Sequence, residues 1–523
     1  MGQGDHTYTG SPGDARGASL QLLTGGARDL PARQQTLRHA IDWSYRLLTA
    51  DEQRLFAQLS TCAGGWTLEA AEAVGAAPGA RDVLEGLASL VDKSLVHQEE
   101  LPEGEPRFSM LETIGAYARE QLAALGEEAR TVHRRHAAYV LALAREAEAQ
   151  FWGHDQALWL RRLNRELGNV RAALAWSRDN GEVELALQLG GALFFFWHDG
   201  GHWTEACAWL ESALAVATPA HRTAGRAATL AALGLCRWCL GDGATAQSQS
   251  EECLAIYREH GDRRGMSRAL HGLGVLAADQ GDAARAHDLL AEGLSVARAV
   301  GDRPLVGLAL HQLGLLAVQA HDENTAYARI EESRRVWHEL GSTQCLALAA
   351  SSLGDLARSQ GAYTAAAAHY REGLELLGAA GPPGWRITCL HNLGHVLHCQ
   401  GNDREARTLV AEGLALCREL GDRRGVAESV AALACLVAET QPERTVRLLG
   451  AAAVVIEALG GQLSGPNQAE YDQGLAIARR RLGDDACDAA WRHGQALPLE
   501  QAVAEALEER SLRPGSVSIH YVP

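Results

Sequence analysis

Residues 261–300, GDRRGMSRALHGLGVLAADQGDAARAHDLLAEGLSVARAV, and residues 301–340, GDRPLVGLALHQLGLLAVQAHDENTAYARIEESRRVWHEL, open on the same Gly-Asp pair and carry the same Leu-Gly pair at the same offset. That pair recurs at Leu233-Gly234, Leu273-Gly274, Leu313-Gly314, Leu353-Gly354 and Leu393-Gly394, each 40 residues after the last. A glycine ladder runs through Gly201, Gly241, Gly281, Gly361 and Gly401, and another through Gly261, Gly301, Gly341, Gly381, Gly421 and Gly461. Glycine thus falls about every 20 residues, where a helix C-terminus needs a residue with positive φ. Each 40-residue unit therefore reads as two helices.

Within a unit, a small residue follows the Leu by 13 positions (Ala246, Ala286, Ala326, Ala366, Ala406), and another follows seven later (Cys253, Gly293, Ser333, Gly373, Gly413). A larger side chain stands between them in most units: Leu290, Ile330, Tyr370 and Val410, with Ser250 the exception. This small-large-small pattern is how tetratricopeptide repeats interlock their two helices, although the unit is longer than usual and the usual aromatic near the end of the first helix is missing. The fold class expected is all-α, an α-solenoid of about 40-residue tetratricopeptide-type helix pairs preceded by a small winged-helix-like domain.

The 523 residues are 47% hydrophobic, enough to bury a large core over several domains. A formal charge of −17 with Lys93 as the single lysine excludes a surface that holds phosphate backbones nonspecifically, so direct nucleic-acid binding is not expected. The eleven cysteines are scattered through helical patterns and imply a reducing, cytoplasmic setting. No apolar run approaches the roughly 20 residues of a membrane span, and no membrane partner is expected.

The expected organisation is a disordered tail and remnant of an ATPase lid over 1–30, a winged-helix-like domain over 31–111, and a helical connector over 112–185. The repeat solenoid follows over 186–460, then C-terminal capping helices over 461–510 and a tail over 511–523. In the second segment, helical patterns cover TLRHAIDWSYRLL and a stretch opened by the capping box Thr49-Ala50-Asp51-Glu52. RDVLEGLASLV, SLVHQEE, a Pro-Gly turn and RFSML then trace a helix and a β-hairpin. DNA reading would make RDVLEGLASLV the recognition helix. Its Asp82, Glu85 and Asp92 against Arg81 and Lys93, without a stripe of Asn, Gln or Arg for base edges, favour a protein-packing module.

QQTLRHAIDWSY, DEQRLFAQLS, LASLVDKSLV, RFSMLETIGAYARE, RRHAAYVLALAREAE and NVRAALAW closely resemble the region downstream of the ATPase core in STAND ATPases, among them the large LuxR-type and MalT-like transcriptional regulators. The likeness runs from about Leu20 to about Leu507. It implies a module that receives a partner or small inducer ligand and restrains an ATPase, here one supplied in trans. Family members carry a P-loop before the winged helix and often a helix-turn-helix at the end. Lys93 lacks the preceding glycines of GxxxxGK[ST], and only a short tail follows Glu509. The chain is expected to be a standalone module or a truncated product of a longer regulator.

Chemistry has weaker candidates. His391, His395 and His398, flanked by Cys389 and Cys399, share one helical face, but along a straight helix they span about 10 Å, too far for one ion. Cys236 and Cys239 form a CxxC with no second pair. Glu252, Glu292, Glu332, Glu372 and Glu412 recur with the repeat and mark a structural face. No catalytic residue, metal or cofactor is assigned, and the chain is not expected to be an enzyme. Candidate partner-binding residues come from the register of the first helices, two before the Leu and two and five after it: Trp238, His271, His311, Asp355, Arg358, His391, His395 and His398. DNA binding through the winged helix is the alternative.

Overall fold

The structure, a computed structural model, describes residues 37–75, 83–101, 104–199, 202–378, 381, 383–458 and 465–508. The expected N-terminal tail and lid remnant over 1–30, the tail over 511–523, and Arg81, Asp82, Gly201 and Gly461 lie outside them. The chain forms two compact units, one of residues up to 276 without 152–154, the other of 152–154 and 277 onward. Each is described by itself.

The first unit opens with α1 (Leu37–Arg46), α2 (Ala50–Leu59), β1 (Trp66–Thr67), α3 (Leu68–Gly75), α4 (Val83–Asp92), β2 (His97–Glu100) and β3 (Pro106–Ser109). The capping box forms as expected: the Thr49 hydroxyl accepts from the Glu52 N–H and the Glu52 carboxylate accepts from the Thr49 N–H. The strands make an antiparallel sheet in the order β1-β3-β2, with Phe108 opposite both Trp66 and Gln98. Period-two alternation turns Phe108 into a core with Phe56, Trp66, Leu87, Leu90 and Val96. That core does not stop at residue 111. Tyr117 and Leu122 of α5 (Glu112–Ala123) and Val132 of α6 (Glu127–Gln150) belong to it.

Short helices α7 (Gln156–Arg165), α8 (Leu167–Asp179), α9 (Val183–Ala192), α10 (Phe194–Asp199) and α11 (Trp203–Val216) follow. They pack with α6 around Leu143, Leu163, Leu174, Leu189, Trp197 and Leu210. Regular pairs begin with α12 (Ala224–Cys239) and α13 (Gly243–His260), and α14 (Arg263–Asp279) crosses the unit boundary.

In the second unit the pairing continues as α15 (Ala283–Val300), α16 (Arg303–Gln319), α17 (Glu323–Leu340), α18 (Thr343–Ser359), α19 (Tyr363–Leu377), α20 (Pro383–Cys399), α21 (Asp403–Glu419), α22 (Arg423–Cys435) and α23 (Pro442–Ala458). The chain ends in α24 (Gly465–Leu482), α25 (Asp484–Gln495) and α26 (Leu499–Leu507).

The Gly-Asp pairs have two tasks. Gly241, Gly261, Gly281, Gly301, Gly341, Gly361, Gly401 and Gly421 all take positive φ and end a helix. The Asp that follows Gly241, Gly281, Gly301 and Gly421 caps the next helix, as Asp302 does on the Leu305 N–H at 3.1 Å. Gly381 is not among the positive-φ residues; Gly378 turns the chain there instead, at φ +56°. The gap in the first ladder is filled by His321, which takes φ +57° at the place of the missing glycine. A left-handed backbone costs a residue with a Cβ about 1–2 kcal/mol, partly offset by the greater unfolded-state freedom of glycine. His321→Gly is therefore expected to raise stability by about 0.5–1 kcal/mol. A lower denaturant midpoint than wild type would contradict it.

The Leu-Gly motif has a packing cause. A Cβ on Gly314 would stand 2.6 Å from Ile330 Cγ1, on Gly354 2.6 Å from Tyr370 Cε1, and on Gly394 2.7 Å from Val410 Cγ2. In these three repeats the glycine of the first helix thus receives the large residue between the two small ones of its partner helix, a fit one added methyl would overpack.

Candidate partner groove

Tyr370 is fully buried, and because Gly354 admits its ring, its hydroxyl reaches the next residue of the first helix, donating to Asp355 Oδ1 at 2.6 Å. Asn392 Nδ2 of the following repeat donates to the same oxygen at 3.0 Å, and Asn392 Oδ1 accepts from Arg358 Nη1 at 3.3 Å. Burial raises the Asp355 carboxyl above its ordinary value, against the opposing pull of the Tyr370 hydroxyl and the Arg358 charge. Arg358 is therefore oriented from one side by α18, α19 and α20 together. Its Nη2 lies 2.9 Å from Glu470 Oε1 and 3.4 Å from Asn467 Oδ1, both on α24. The same Glu470 oxygen is 2.9 Å from His395 Nδ1.

The structure gathers Asp355, Arg358 and His395 and disperses the other sequence candidates. His311 is not a groove side chain: it is 3% exposed, and its Nε2 lies 2.9 Å from the Ser352 hydroxyl of the next repeat. His391 makes the corresponding link, 2.9 Å to Ser429, and packs over Gly413, whose Cβ would stand 2.8 Å from its Nε2. His271 Nε2 is enclosed without a hydrogen-bond partner. Burial pushes both His271 and His391 down to about 4. His398 Nδ1 turns to Asp403 at 2.6 Å, and Trp238 is half-buried in the first unit. The imidazoles of His391, His395 and His398 thus meet three separate partners, and among the described residues no group of three or more His, Cys, Asp or Glu is placed to hold a metal ion. Cys236 is buried, which pushes its thiol up to about 12.

Asn392, Asn467 and Glu470 escaped sequence reasoning. Asn392 follows a repeat position and could have been found by extending the register one residue. Glu470 lies in a stretch that reads as a cap, and no local pattern ties it to Arg358.

On the winged-helix domain, the outward residues of α4 are Leu84, Glu85, Ala88 and Asp92, and β2 exposes His97, Gln98, Glu99 and Glu100. Lys93 Nζ lies 2.8 Å from Glu52 Oε1, and the Lys93 and Ser89 contacts hold the Glu52 carboxyl down to about 2. Arg107, the hairpin's arginine, is 6% exposed and directed inward. These surfaces offer no cationic track for phosphates.

A winged helix-turn-helix domain model matches residues 48–123, and tetratricopeptide-repeat models match 226–299 and 386–420. The chain carries both. An anaphase-promoting complex subunit 5 model matches 307–360. A protein of Mycobacterium tuberculosis H37Rv named as an HTH-type transcriptional regulator is 40% identical over 253 residues, 46% of this chain and 28% of that protein. An uncharacterised protein of the same organism is 34% identical over 111 residues, 21% of this chain and 28% of its own length. The chain thus spans little more than a quarter of these relatives. A STAND protein with a tetratricopeptide repeat sensor from Pyrococcus horikoshii matches in fold with a TM-score of 0.58 at 14% identity, over 90% of this chain and 65% of that one. The winged-helix and repeat domains are of non-catalytic kinds, and no helix among the described residues is long and apolar enough to cross a membrane.

Proposed function

We propose that the chain is the protein-interaction and signal-sensing module of a STAND-type, LuxR/MalT-like transcriptional regulator, and that it receives a partner on the polar stretch of its repeat first helices. The observation that carries this reading is Arg358, a buried cation on a repeat first helix held in place by Asn392 and, through it, by Asp355 and Tyr370. A few oriented polar groups in an apolar surface are what recognition of a peptide or small ligand requires. An ATPase domain on another chain is the partner class that the STAND resemblance suggests, and the winged helix then serves as a packing module. The reading in which the winged helix binds DNA has the relative named as an HTH-type regulator in its favour. Against it stand the acidic α4 and β2 and the inward Arg107.

Thr388 is exposed on α20, two turns before His395 on the same face, whereas Tyr327 is exposed on the second helix α17. Thr388→Arg is expected to abolish capture of the native partner by the immobilised full chain, and Tyr327→Arg to leave it unchanged. Equal capture by both variants, or selection of a single duplex sequence from random DNA with a Kd below about 10⁻⁶ M, would refute the reading.

A further inference from the structure

The start of α24 lies across three consecutive first helices. Glu470 meets Arg358 of α18 and His395 of α20 through its carboxylate, and its backbone carbonyl accepts from Cys435 Sγ of α22 at 3.7 Å. Asn467, three residues earlier and so on the same helix face, adds the second contact to Arg358. We propose that the first half of α24 is a displaceable plug in this groove, and that the groove's partner is a helical peptide whose carboxylate takes the place of Glu470 between Arg358 and His395.

Two features separate this contact from an ordinary packed seam. The first is its fit. Asn467, Glu470 and Tyr471 line a cavity of about 30 Å³ with His391, Glu428, Ala431, Ala432 and Cys435, and the buried Glu470 Oε1 has no well-aligned hydrogen bond although the Arg358 guanidinium and the His395 ring are both 2.9 Å away. Native interiors are close-packed and satisfy such oxygens. The later turns of the same helix are packed tightly: Ala478 is fully buried, and a Cβ on Gly474 would stand 2.7 Å from Cys435 Sγ. The loose end is the one that fills the groove.

The second feature is preorganisation. Arg358 is held by Asn392, and Asn392 by Asp355, without any contribution from α24. When Glu470 leaves, the guanidinium keeps its direction and presents the same Nη2 to any incoming carboxylate, so the ordering cost is already met by the fold. A neutral or cationic peptide would leave that buried charge unpaired, which is the basis of selectivity for an acidic one.

The inference rests on the groove reading above, and its test is independent of partner capture. The probe is a fluorescein-labelled peptide of residues 465–478, added to the full chain and followed by anisotropy. The tethered helix competes at an effective concentration in the millimolar range, so wild type binds the peptide weakly. Glu470→Gln in the full chain weakens the tethered copy, and peptide affinity is expected to rise by about tenfold or more. A peptide carrying Glu470→Gln is expected not to bind. Equal affinities for wild type and variant, or binding that survives loss of the peptide's carboxylate, overturns the proposal. A measurement on the unaltered protein stands beside it: amides 468–471 are expected to exchange with deuterium at least about 100-fold faster than those of α22. Equal protection overturns the plug. Peptide exchange as expected with native capture unaffected by Thr388→Arg would leave the plug standing and remove the functional reading.

Discussion

Arg107→Ala is expected to destabilise the first unit by about 3–5 kcal/mol, the usual cost of stranding one member of a buried ion pair. Arg107 Nη1 lies 2.5 Å from Glu166 Oε1, with the two side chains 7% and 5% exposed. Its Nη2 donates to the carbonyls of Gly64, Gly65 and Arg165 at 3.1–3.3 Å. Asn169 completes the cluster: its Nδ2 donates to Glu166 Oε2 and to the Gly65 carbonyl, and its Oδ1 accepts from the Ala63 N–H at 2.7 Å. One network thus binds the loop before β1, the strand β3 and the start of α8. The backbone has been shaped for it, since a Cβ on Gly168 would stand 2.5 Å from the Ala63 carbonyl oxygen. Removing the guanidinium leaves the buried Glu166 carboxylate without its counter-charge and takes a donor from three carbonyls, with Asn169 Nδ2 still serving Glu166 Oε2 and the Gly65 carbonyl. The double replacement Arg107→Met with Glu166→Leu removes both charges and is expected to recover most of the loss. A shift in denaturation free energy below about 1 kcal/mol for Arg107→Ala would show that water reaches the site and that the latch is not buried in solution.

Acidification is expected to destabilise the protein from about pH 6.5 downward, before most carboxylates titrate. His136 is 2% exposed, its Nε2 is 3.1 Å from Asn169 Oδ1, and burial pushes it down to about 4. The unfolded chain takes up that proton near pH 6.5 and the folded chain only near 4. Stability is therefore intact above pH 6.5, falls steadily between 6.5 and 4, and falls no further on this account below 4. The contribution of His136 is about 2 kcal/mol at pH 5 and about 3 kcal/mol once the pH is below 4. His271 and His391, both lowered to about 4, act in the same direction. Glu52, lowered to about 2, adds its loss only in more acid solution. The slope between pH 6.5 and 5 thus isolates the histidines. Denaturant midpoints across that window should fall for wild type and fall less for His136→Gln. A flat profile would mean that the imidazoles are hydrated in the native state.

Much of the architecture was legible because its causes are local or periodic. A helix stop needs positive φ and the next start needs a cap, so Gly-Asp marks both within two residues, as at Gly301-Asp302. Helix pairs interlock through residues a fixed distance apart, so Gly354 and Tyr370 announce their contact by recurring as Gly314 with Ile330 and Gly394 with Val410. The acidic character of the winged helix is likewise in its composition. What periodicity could not determine is where a repeated position points when its neighbour differs. His311 and His391 occupy the offset read as groove-facing, yet Ser352 and Ser429 of the following repeats take them as hydrogen-bond partners. Contacts made once, across long separations, left no trace in the pattern. Arg107 meets Glu166 across 59 residues, and Arg358 meets Asn467 across 109. An arginine that in sequence could equally have faced solvent, DNA or a ligand becomes a buried latch or a groove anchor only when desolvation makes an unpaired charge too costly, and only the assembled fold decides which carboxylate is near enough to pair with it.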